Sequence, residues 1–188
     1  MGEVMARGLN FVYAKEFIKK KYGDETFTRL LDRLPQEVKG IWEDAVLTDS
    51  YPFSAFKAMT AALSGELGAL ENREIAKMYE YIADRSLNVL YKMFFRMTNP
   101  SFVISNYPKL WRRFFESGTV EVPLSEKGYA RVRFLLPEIF LDWLPPACLG
   151  YSKKAVEMAG GKNLMIKLEN KSLSSENVWD IVYQLRWE

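Results

Sequence analysis

The sequence has 188 residues, enough for one domain with a sizeable core, and its 26 Lys and Arg against 24 Asp and Glu leave a net charge of +2. This balance argues against recruitment of nucleic acid or an anionic membrane through a global electrostatic field. The chain contains no histidine, which excludes His-ligated haem, His-based zinc sites and Ser-His or Cys-His nucleophilic pairs.

The amino-terminal part carries apolar residues at helical spacing. A helix is predicted from Leu9 to Tyr22, where three consecutive lysines precede Gly23 and oppose the helix dipole favourably. We expect Asp24 to cap a second helix and Pro35 to begin a third. This part of the chain is therefore predicted to be helical.

A further helix is predicted after a turn. Ser50 to Pro52 has turn composition, and residues 53–70 are rich in alanine. We expect this helix to be broken or loosened near Gly65 and Gly68. Its small residues would allow a neighbouring helix to approach closely.

The stretch that organises the chain is a long helix followed by a proline break. The helix is predicted over about residues 75–97 and stops at Asn99-Pro100. A second helix is predicted from Ser101 until Gly118 ends it. The first helix has a wide apolar stripe formed by Ile75, Met78, Tyr79, Ile82, Leu87, Val89, Leu90, Met93, Phe94 and Met97.

Beyond Gly118 the hydrophobic period changes from helical to two, which predicts two hairpins. The first hairpin turns at residues 125–128, and its inward residues are Val120, Val122, Leu124, Ala130, Val132 and Phe134. A short helix from about Ser152 to Ala159, ended by Gly160-Gly161, separates the hairpins. The inward residues of the second hairpin are Leu164, Ile166, Leu168, Trp179, Ile181, Tyr183, Leu185 and Trp187. Residues 1–188 are thus predicted to form a single α+β domain, in which a helical N-terminal layer packs on a four-stranded antiparallel sheet.

This order of parts resembles the superfamily that contains haem-nitric-oxide-binding (H-NOX) sensor domains, small-molecule-binding V4R domains and the TRAPP vesicle-tethering subunits. The likeness is greatest to a histidine-poor bacterial branch. It rests on Asn99-Pro100-Ser101, on residues 108–114 with residues 118–122, and on the closing strand Val182 to Trp187. The resemblance implies a ligand-binding or signalling module with a cavity between helices and sheet.

The residues that would bind a cofactor in that superfamily are absent here. Haem-binding members use a proximal histidine and a Tyr-x-Ser-x-Arg pattern, and zinc-binding V4R members use paired cysteines, whereas this chain has only Cys148. We therefore expect no cofactor, although a tyrosine or Cys148 could ligate iron in principle. Lipid-modified tethering subunits use a buried cysteine. For Cys148 we favour the alternative, a small buried hydrophobe.

The leading functional hypothesis is a non-haem module that binds an apolar small molecule or lipid and signals to a partner, with a homodimer expected. The alternative is a structural interaction module like the tethering subunits, with no small ligand. The predicted ligand-binding residues are Met78, Ile82, Phe94, Trp111, Phe114 and Trp143. The same residues could instead simply fill the core.

No motif predicts an enzyme. Ser54-Ala-Phe-Lys57 matches the Ser-x-x-Lys of penicillin-recognising enzymes, but their partner elements are missing. Glu80 and Asp84 fit a solvated charged strip on a helix. Arg112-Arg113, framed by aromatic residues, is too small a cluster to predict nucleic-acid binding.

Sequence features also favour a cytoplasmic protein without a membrane span. A single cysteine suits a reducing compartment. The first residues lack the basic start and apolar run of a signal peptide, and no run of about 18 apolar residues occurs.

Overall fold

The computed structural model of the protein describes residues 2–67, 71–91, 99–174 and 177–188. The helices are α1 (Gly8–Tyr22), α2 (Asp24–Leu31), α3 (Gln36–Asp44), α4 (Phe53–Leu67), α5 (Glu71–Tyr91), α6 (Pro100–Ser105), α7 (Tyr107–Phe114) and α8 (Leu144–Met158). The strands are β1 (Met5–Arg7), β2 (Ser50–Pro52), β3 (Thr119–Glu126), β4 (Tyr129–Leu136), β5 (Met165–Leu173) and β6 (Trp179–Arg186). A single 3₁₀ turn, Glu138–Phe140, precedes α8 in the described chain. The α+β prediction is confirmed.

The main sheet has the strand order β3-β4-β6-β5, and every neighbouring pair is antiparallel. The two predicted hairpins are present, and β4 pairs with β6 to join them, with Val132 opposite Tyr183. Gly128 makes the first hairpin turn at a φ of 79°, which glycine adopts without strain. Helix α8 lies between the hairpins in sequence and packs mainly against α5.

The outer strands differ from the prediction. Leu124 is 41% exposed, since the β3–β4 register shifts between Glu121 and Leu124. Leu168 is 47% exposed, because β5 forms the edge of the sheet and its residues are largely uncovered by helices. Alternation alone could not show where the helical layer ends, so the prediction that both leucines are buried is wrong.

The predicted turn at Ser50 to Pro52 is also wrong. These residues form β2, which pairs with β1 in a two-stranded antiparallel sheet. Ala6 of β1 makes a further bridge to Phe115, directly after α7. Strands of three residues are too short to show an alternating pattern, so they could not be predicted from the sequence.

The helix predicted from Ser101 to Gly118 is in fact two helices. Asn99 caps α6 by accepting a hydrogen bond from the Phe102 N–H at 2.9 Å. The chain breaks at Asn106, and Pro108 lies in the first turn of α7, where its missing N–H costs nothing. The break reorients the second helix so that it can cover the sheet.

Three other helix boundaries differ from the prediction. Helix α4 continues through Gly65 to Leu67, so no break occurs there, and Gly68 lies outside the described residues. Asp24 is the first residue of α2, with Gly23 at the cap position. Helix α8 begins at Leu144 rather than Ser152, because prolines are tolerated in a first helical turn.

An aromatic cluster forms the centre of the core. Phe53, which is fully buried, has its ring centroid 4.7 Å from that of Phe140, 5.1 Å from Trp143 and 5.4 Å from Phe115. These residues come from α4, the 3₁₀ turn and the segments that flank α7 and α8. The cluster therefore joins the helical layer to the elements that cover the sheet.

A buried carboxylate joins α1 to α5. Glu74 accepts hydrogen bonds from Lys21, Tyr22 and Lys77. Burial, the largest influence, raises the pKa of Glu74, but the three hydrogen bonds together outweigh it and lower the pKa to about 2. The carboxylate therefore stays ionised, and its favourable interactions weaken only as the pH falls below the ordinary range for glutamate.

No helix in the described ranges combines the length and apolar character needed to cross a bilayer.

Candidate functional site

A cavity of about 60 Å³ lies where α5, α7 and α8 meet the first hairpin. Aromatic rings and small side chains form most of its wall. The lining residues are Tyr79, Tyr107, Leu110, Trp111, Phe114, Phe115, Val120, Phe134, Trp143, Leu144, Ala147, Cys148, Tyr151 and Ser152. Every one of them is either buried or half-buried.

Helix α7 supplies one side of the cavity. Tyr107, Trp111 and Phe114 recur at spacings of four and three residues, which places them on one helix face. Arg112 and Arg113 lie on the opposite, exposed face. The strong separation of apolar and charged residues on this short helix holds its aromatic side against the sheet.

The aromatic rings of the wall fix one another in place. The ring centroids of Trp111 and Phe115 are 4.6 Å apart, and those of Tyr79 and Trp143 are 5.0 Å apart. The rings of Tyr151 and Phe114 are nearly perpendicular, and their centroids are 5.3 Å apart. Tilted and perpendicular contacts of this kind are favourable, and they leave an irregular gap that the rings themselves do not fill.

Two buried hydrogen bonds stabilise the cavity wall. The Tyr79 hydroxyl donates to Asn10 Oδ1 at 3.1 Å, and Asn10 Nδ2 donates to the Phe114 carbonyl at 3.0 Å. Asn10 is fully buried on α1. These two bonds tie α1, α5 and α7 together and fix the orientation of the Tyr79 ring.

Two polar atoms on the lining side chains lack a hydrogen-bond partner of normal geometry within the described chain. They are the Tyr107 hydroxyl and the Trp143 indole N–H, both buried. Burial raises the pKa of Tyr107, and the nearby Ser152 hydroxyl opposes that rise. Buried polar groups are normally satisfied, so two such atoms around one cavity indicate a place where a further molecule could supply partners.

The cavity is electrically neutral at physiological pH. Burial raises the pKa of the Cys148 thiol to about 11, although a contact of 3.8 Å with the Ser152 hydroxyl lowers it. Cys148 therefore remains a protonated thiol. Within the part of the chain that the structure describes, no Asp, Glu, Lys or Arg lines the cavity.

The six residues predicted to bind a ligand are only partly brought together. Trp111, Phe114 and Trp143 line the cavity. Met78 and Ile82 are buried in the core but do not contribute to the lining, and Phe94 lies outside the described residues. Met93 and Met97 and the side chains of Val89 and Leu90, all part of the predicted stripe, also fall outside the description.

Sequence reasoning missed several lining residues, notably Tyr107, Cys148 and Tyr151. Tyr107 precedes Pro108 at the start of α7, in a stretch read as the interior of a longer helix. Cys148 and Tyr151 lie in α8 before Ser152, where the sequence predicts the helix to begin. Cys148 and Tyr151 are three residues apart, so a helix that began before Cys148 would have placed both on one face.

The other motifs make ordinary structural contacts. Lys57 donates to the Ile139 carbonyl at 3.2 Å and pairs with Asp142 at 2.8 Å, while Ser54 is exposed. Glu80 pairs with Lys153 of α8 at 3.1 Å. Asp84 pairs with Lys154 at 3.0 Å, so these two carboxylates link α5 to α8.

Comparison with known proteins shows the fold. A scan against protein-family models finds no match, and a search of curated proteins finds none either. Among solved structures, the chain is similar to the Fe(II) unliganded H-NOX protein from K. algicida, with a TM-score of 0.73 and 14% identity over 97% of this chain and 96% of that one. It is also similar to an H-NOX protein from S. oneidensis in the Fe(II)NO ligation state, with a TM-score of 0.72 and 11% identity over 96% and 99% of the two chains.

A third similar structure is an oxygen-binding H-NOX domain related to soluble guanylate cyclases, in its oxygen complex. Its TM-score is 0.69 and its identity 8%, over 94% of this chain and 92% of that one. The described architecture is therefore H-NOX-like. At these identities the likeness establishes the fold and not the ligand.

The described residues that line the cavity do not fit an iron porphyrin held by a histidine or a thiolate. The sequence offers no histidine as an axial ligand, and the Cys148 thiol, with its pKa of about 11, is not a thiolate at neutral pH. Within the described ranges, no three His, Cys, Asp or Glu side chains are grouped to hold a metal ion. The cavity volume of about 60 Å³ is also well below the roughly 300–1,000 Å³ of sites for drug-sized ligands.

Proposed function

We propose that this chain is a sensory ligand-binding module that holds a small, mainly apolar molecule in the cavity and does so without haem. The observation that carries the proposal is the aromatic cavity of about 60 Å³ between α7, α8 and the first hairpin. Structures with this fold include an Fe(II)NO state and an oxygen complex, so other proteins use the same architecture to hold small ligands. Binding rather than catalysis is proposed, because neither a histidine nor a free Ser-Lys pair is available.

The volume limits the size of the ligand. A cavity needs about 10–15 Å³ to hold one water molecule when its volume is measured with a water-sized probe, so a cavity of about 60 Å³ suits a molecule with only a few non-hydrogen atoms. A lipid chain would need several times that space. Of the two predicted kinds of partner, a small molecule is therefore favoured over a lipid.

A cavity-filling substitution tests this proposal. Ala147 lies on α8, is 3% exposed and lines the cavity. We expect Ala147→Leu to occupy the space with its three additional carbons and to abolish binding of isobutene, a hydrocarbon of four carbons. In differential scanning calorimetry, isobutene should raise the melting temperature of the wild type, because a ligand that binds only the folded state stabilises it.

The control is Ala61→Leu, which adds the same side chain to an exposed position of α4. This variant should keep the isobutene-dependent rise in melting temperature. If isobutene stabilised Ala147→Leu as much as it stabilises the wild type, the ligand would bind elsewhere. If it did not stabilise the wild type at all, the cavity would not be a ligand site for such molecules.

A second candidate function, a protein interaction module that forms a homodimer, is favoured by the exposed edge of the sheet. Met165, Leu168 and Leu173 are 65%, 47% and 51% exposed on β5, and within the described chain β5 pairs only with β6. Such an edge can accept a further strand. Antiparallel pairing of two β5 strands centred on Leu168 would place Lys167 of each copy opposite Glu169 of the other, which supports a second copy as the partner.

We expect Leu168→Lys to convert the proposed dimer into a monomer, because a lysine there disfavours apolar contact across the edge and repels its symmetric counterpart. Sedimentation velocity over a range of concentrations measures the change. Leu149→Lys is the control, since Leu149 is comparably exposed at 43% but lies on α8. A monomeric wild type, or a Leu168→Lys variant that stays dimeric, would contradict pairing through β5.

A further inference from the structure

We infer that the cavity selects neutral molecules that carry a hydrogen-bond acceptor, such as small ketones, aldehydes and ethers, and that it rejects anions of the same shape. This inference rests on the proposed function and specifies its ligand class. It arises from the kind of polar atoms on the lining side chains and from the absence of charged residues among them.

The two unsatisfied groups favour an acceptor on the ligand. The Trp143 indole N–H can only donate a hydrogen bond, and the Tyr107 hydroxyl can donate as well as accept. Both atoms are buried, and neither has a partner of normal geometry within the described chain. A ligand oxygen can accept from either of them, whereas a hydrocarbon leaves both unpaired.

The neighbouring polar atoms do not remove this preference. The Tyr79 hydroxyl, which donates its own proton to Asn10 at 3.1 Å, lies near the Trp143 indole N–H without forming a hydrogen bond of normal geometry with it. Ser152, the polar neighbour of Tyr107, is also in contact with the Cys148 sulfur at 3.8 Å. The internal contacts therefore leave Trp143 and Tyr107 with unused donor capacity.

The lack of charged side chains among the described lining residues explains why the cavity should reject ions. A buried ion needs a counter-charge or several hydrogen bonds to compensate for lost hydration. The described lining residues include no cation to pair with an anion and no carboxylate to pair with a cation. Cys148 is a neutral thiol at physiological pH, since its pKa is raised to about 11. The cavity thus offers hydrogen bonds to a neutral acceptor and nothing that would stabilise an ion.

Three probes of nearly the same shape separate these properties. Isobutene has no acceptor, acetone replaces the terminal carbon by a carbonyl oxygen, and acetate carries a negative charge. Dissociation constants for each can be measured at pH 7 by following amide chemical shifts of the intact protein. Because acetone loses more hydration than isobutene when it leaves water, the informative quantity is the ratio of the two constants, compared between the wild type and its variants.

We expect the ratio of the acetone to the isobutene dissociation constant to rise about tenfold in Tyr107→Phe or in Trp143→Phe, depending on which donor bonds the carbonyl. Each substitution removes the donor but keeps an aromatic ring. Tyr81→Phe is the control, because Tyr81 on α5 is not among the lining residues and its hydroxyl donates to Glu16, so this change should leave the ratio unchanged. Acetate should not bind the wild type.

The possible results are distinguishable. If isobutene and acetone bind but the ratio is the same in the wild type, Tyr107→Phe and Trp143→Phe, the acceptor preference is wrong while the proposed function stands. Binding of acetate comparable to that of acetone would overturn the neutral selectivity. Failure of both neutral probes to bind would contradict the proposed function itself.

Discussion

Phe53→Ala should lower the free energy of unfolding by about 4 kcal/mol, as expected for loss of a large aromatic side chain from a packed core. Phe53 is fully buried, and its ring contacts those of Phe140, Trp143 and Phe115 at centroid distances of 4.7, 5.1 and 5.4 Å. These partners come from separate elements and cannot easily collapse together. Urea unfolding followed by tryptophan fluorescence would measure the loss.

The size of this effect should depend on position and not on residue type. Phe102 on α6 is 55% exposed, so Phe102→Ala should change the free energy of unfolding by less than about 1 kcal/mol. Phe53 also supports the cavity, because it contacts Trp143, which is part of the cavity wall. Similar losses for Phe53→Ala and Phe102→Ala would show that the aromatic cluster is not the centre of the core.

Gly150→Ala should also destabilise the protein strongly, because α5 and α8 approach each other at this glycine. A Cβ atom at position 150 would lie 1.9 Å from the Ala76 carbonyl oxygen and 2.7 Å from its carbon, so the helices must separate. Overpacking typically costs about 1–3 kcal/mol, and a backbone contact belongs at the upper end. The higher helix propensity of alanine returns only about 1 kcal/mol.

We therefore expect a net loss of about 2 kcal/mol, which corresponds to a fall of about 4–8 °C in melting temperature for a chain of this size. Gly65→Ala provides a matched comparison in α4, since nothing lies within 4 Å of an added Cβ there. That variant should be slightly stabilised, by about 0.5–1 kcal/mol. Stabilisation of Gly150→Ala to the same degree would mean that α5 and α8 are not in close contact at position 150.

The sheet was predictable where it depends on local features, namely the alternation along a strand and the residue at a turn. Strand β4 alternates throughout and β6 alternates apart from the buried Val182, so residues such as Val132, Phe134 and Leu185 are buried as predicted. The turn at Gly128 requires a positive φ, and a glycine in the sequence indicates that conformation directly. By contrast, the exposure of Leu168 depends on the extent of the helical layer, which is a non-local property that no spacing along β5 contains.

Helix boundaries near prolines were the least predictable. Pro108 begins α7, whereas Pro145 and Pro146 lie inside the first turn of α8. A proline is compatible with a helix start and incompatible with a helix interior, so the same residue signals either a break or a beginning. Tertiary packing of α8 against α5 decides where α8 begins, and that packing cannot be inferred from the spacing of residues along the chain.

The candidate site was predictable only in part, for a related reason. The spacing of Trp111 and Phe114 shows which face of α7 is buried. It does not show whether the rings on that face fill the space that they enclose. A cavity is the difference between the enclosed volume and the side-chain volume, so it depends on ring tilts such as the 36° between Trp111 and Phe115.

Crystals of the protein held under xenon pressure would test most directly whether this cavity accepts a ligand. Xenon is apolar and binds in small apolar cavities, so its electron density marks such sites without requiring a chosen organic ligand. We predict one xenon atom between α7 and α8, in contact with Trp111, Ala147 and Trp143. A structure without xenon at this place, or one in which the aromatic side chains have closed the space, would contradict the proposed ligand site.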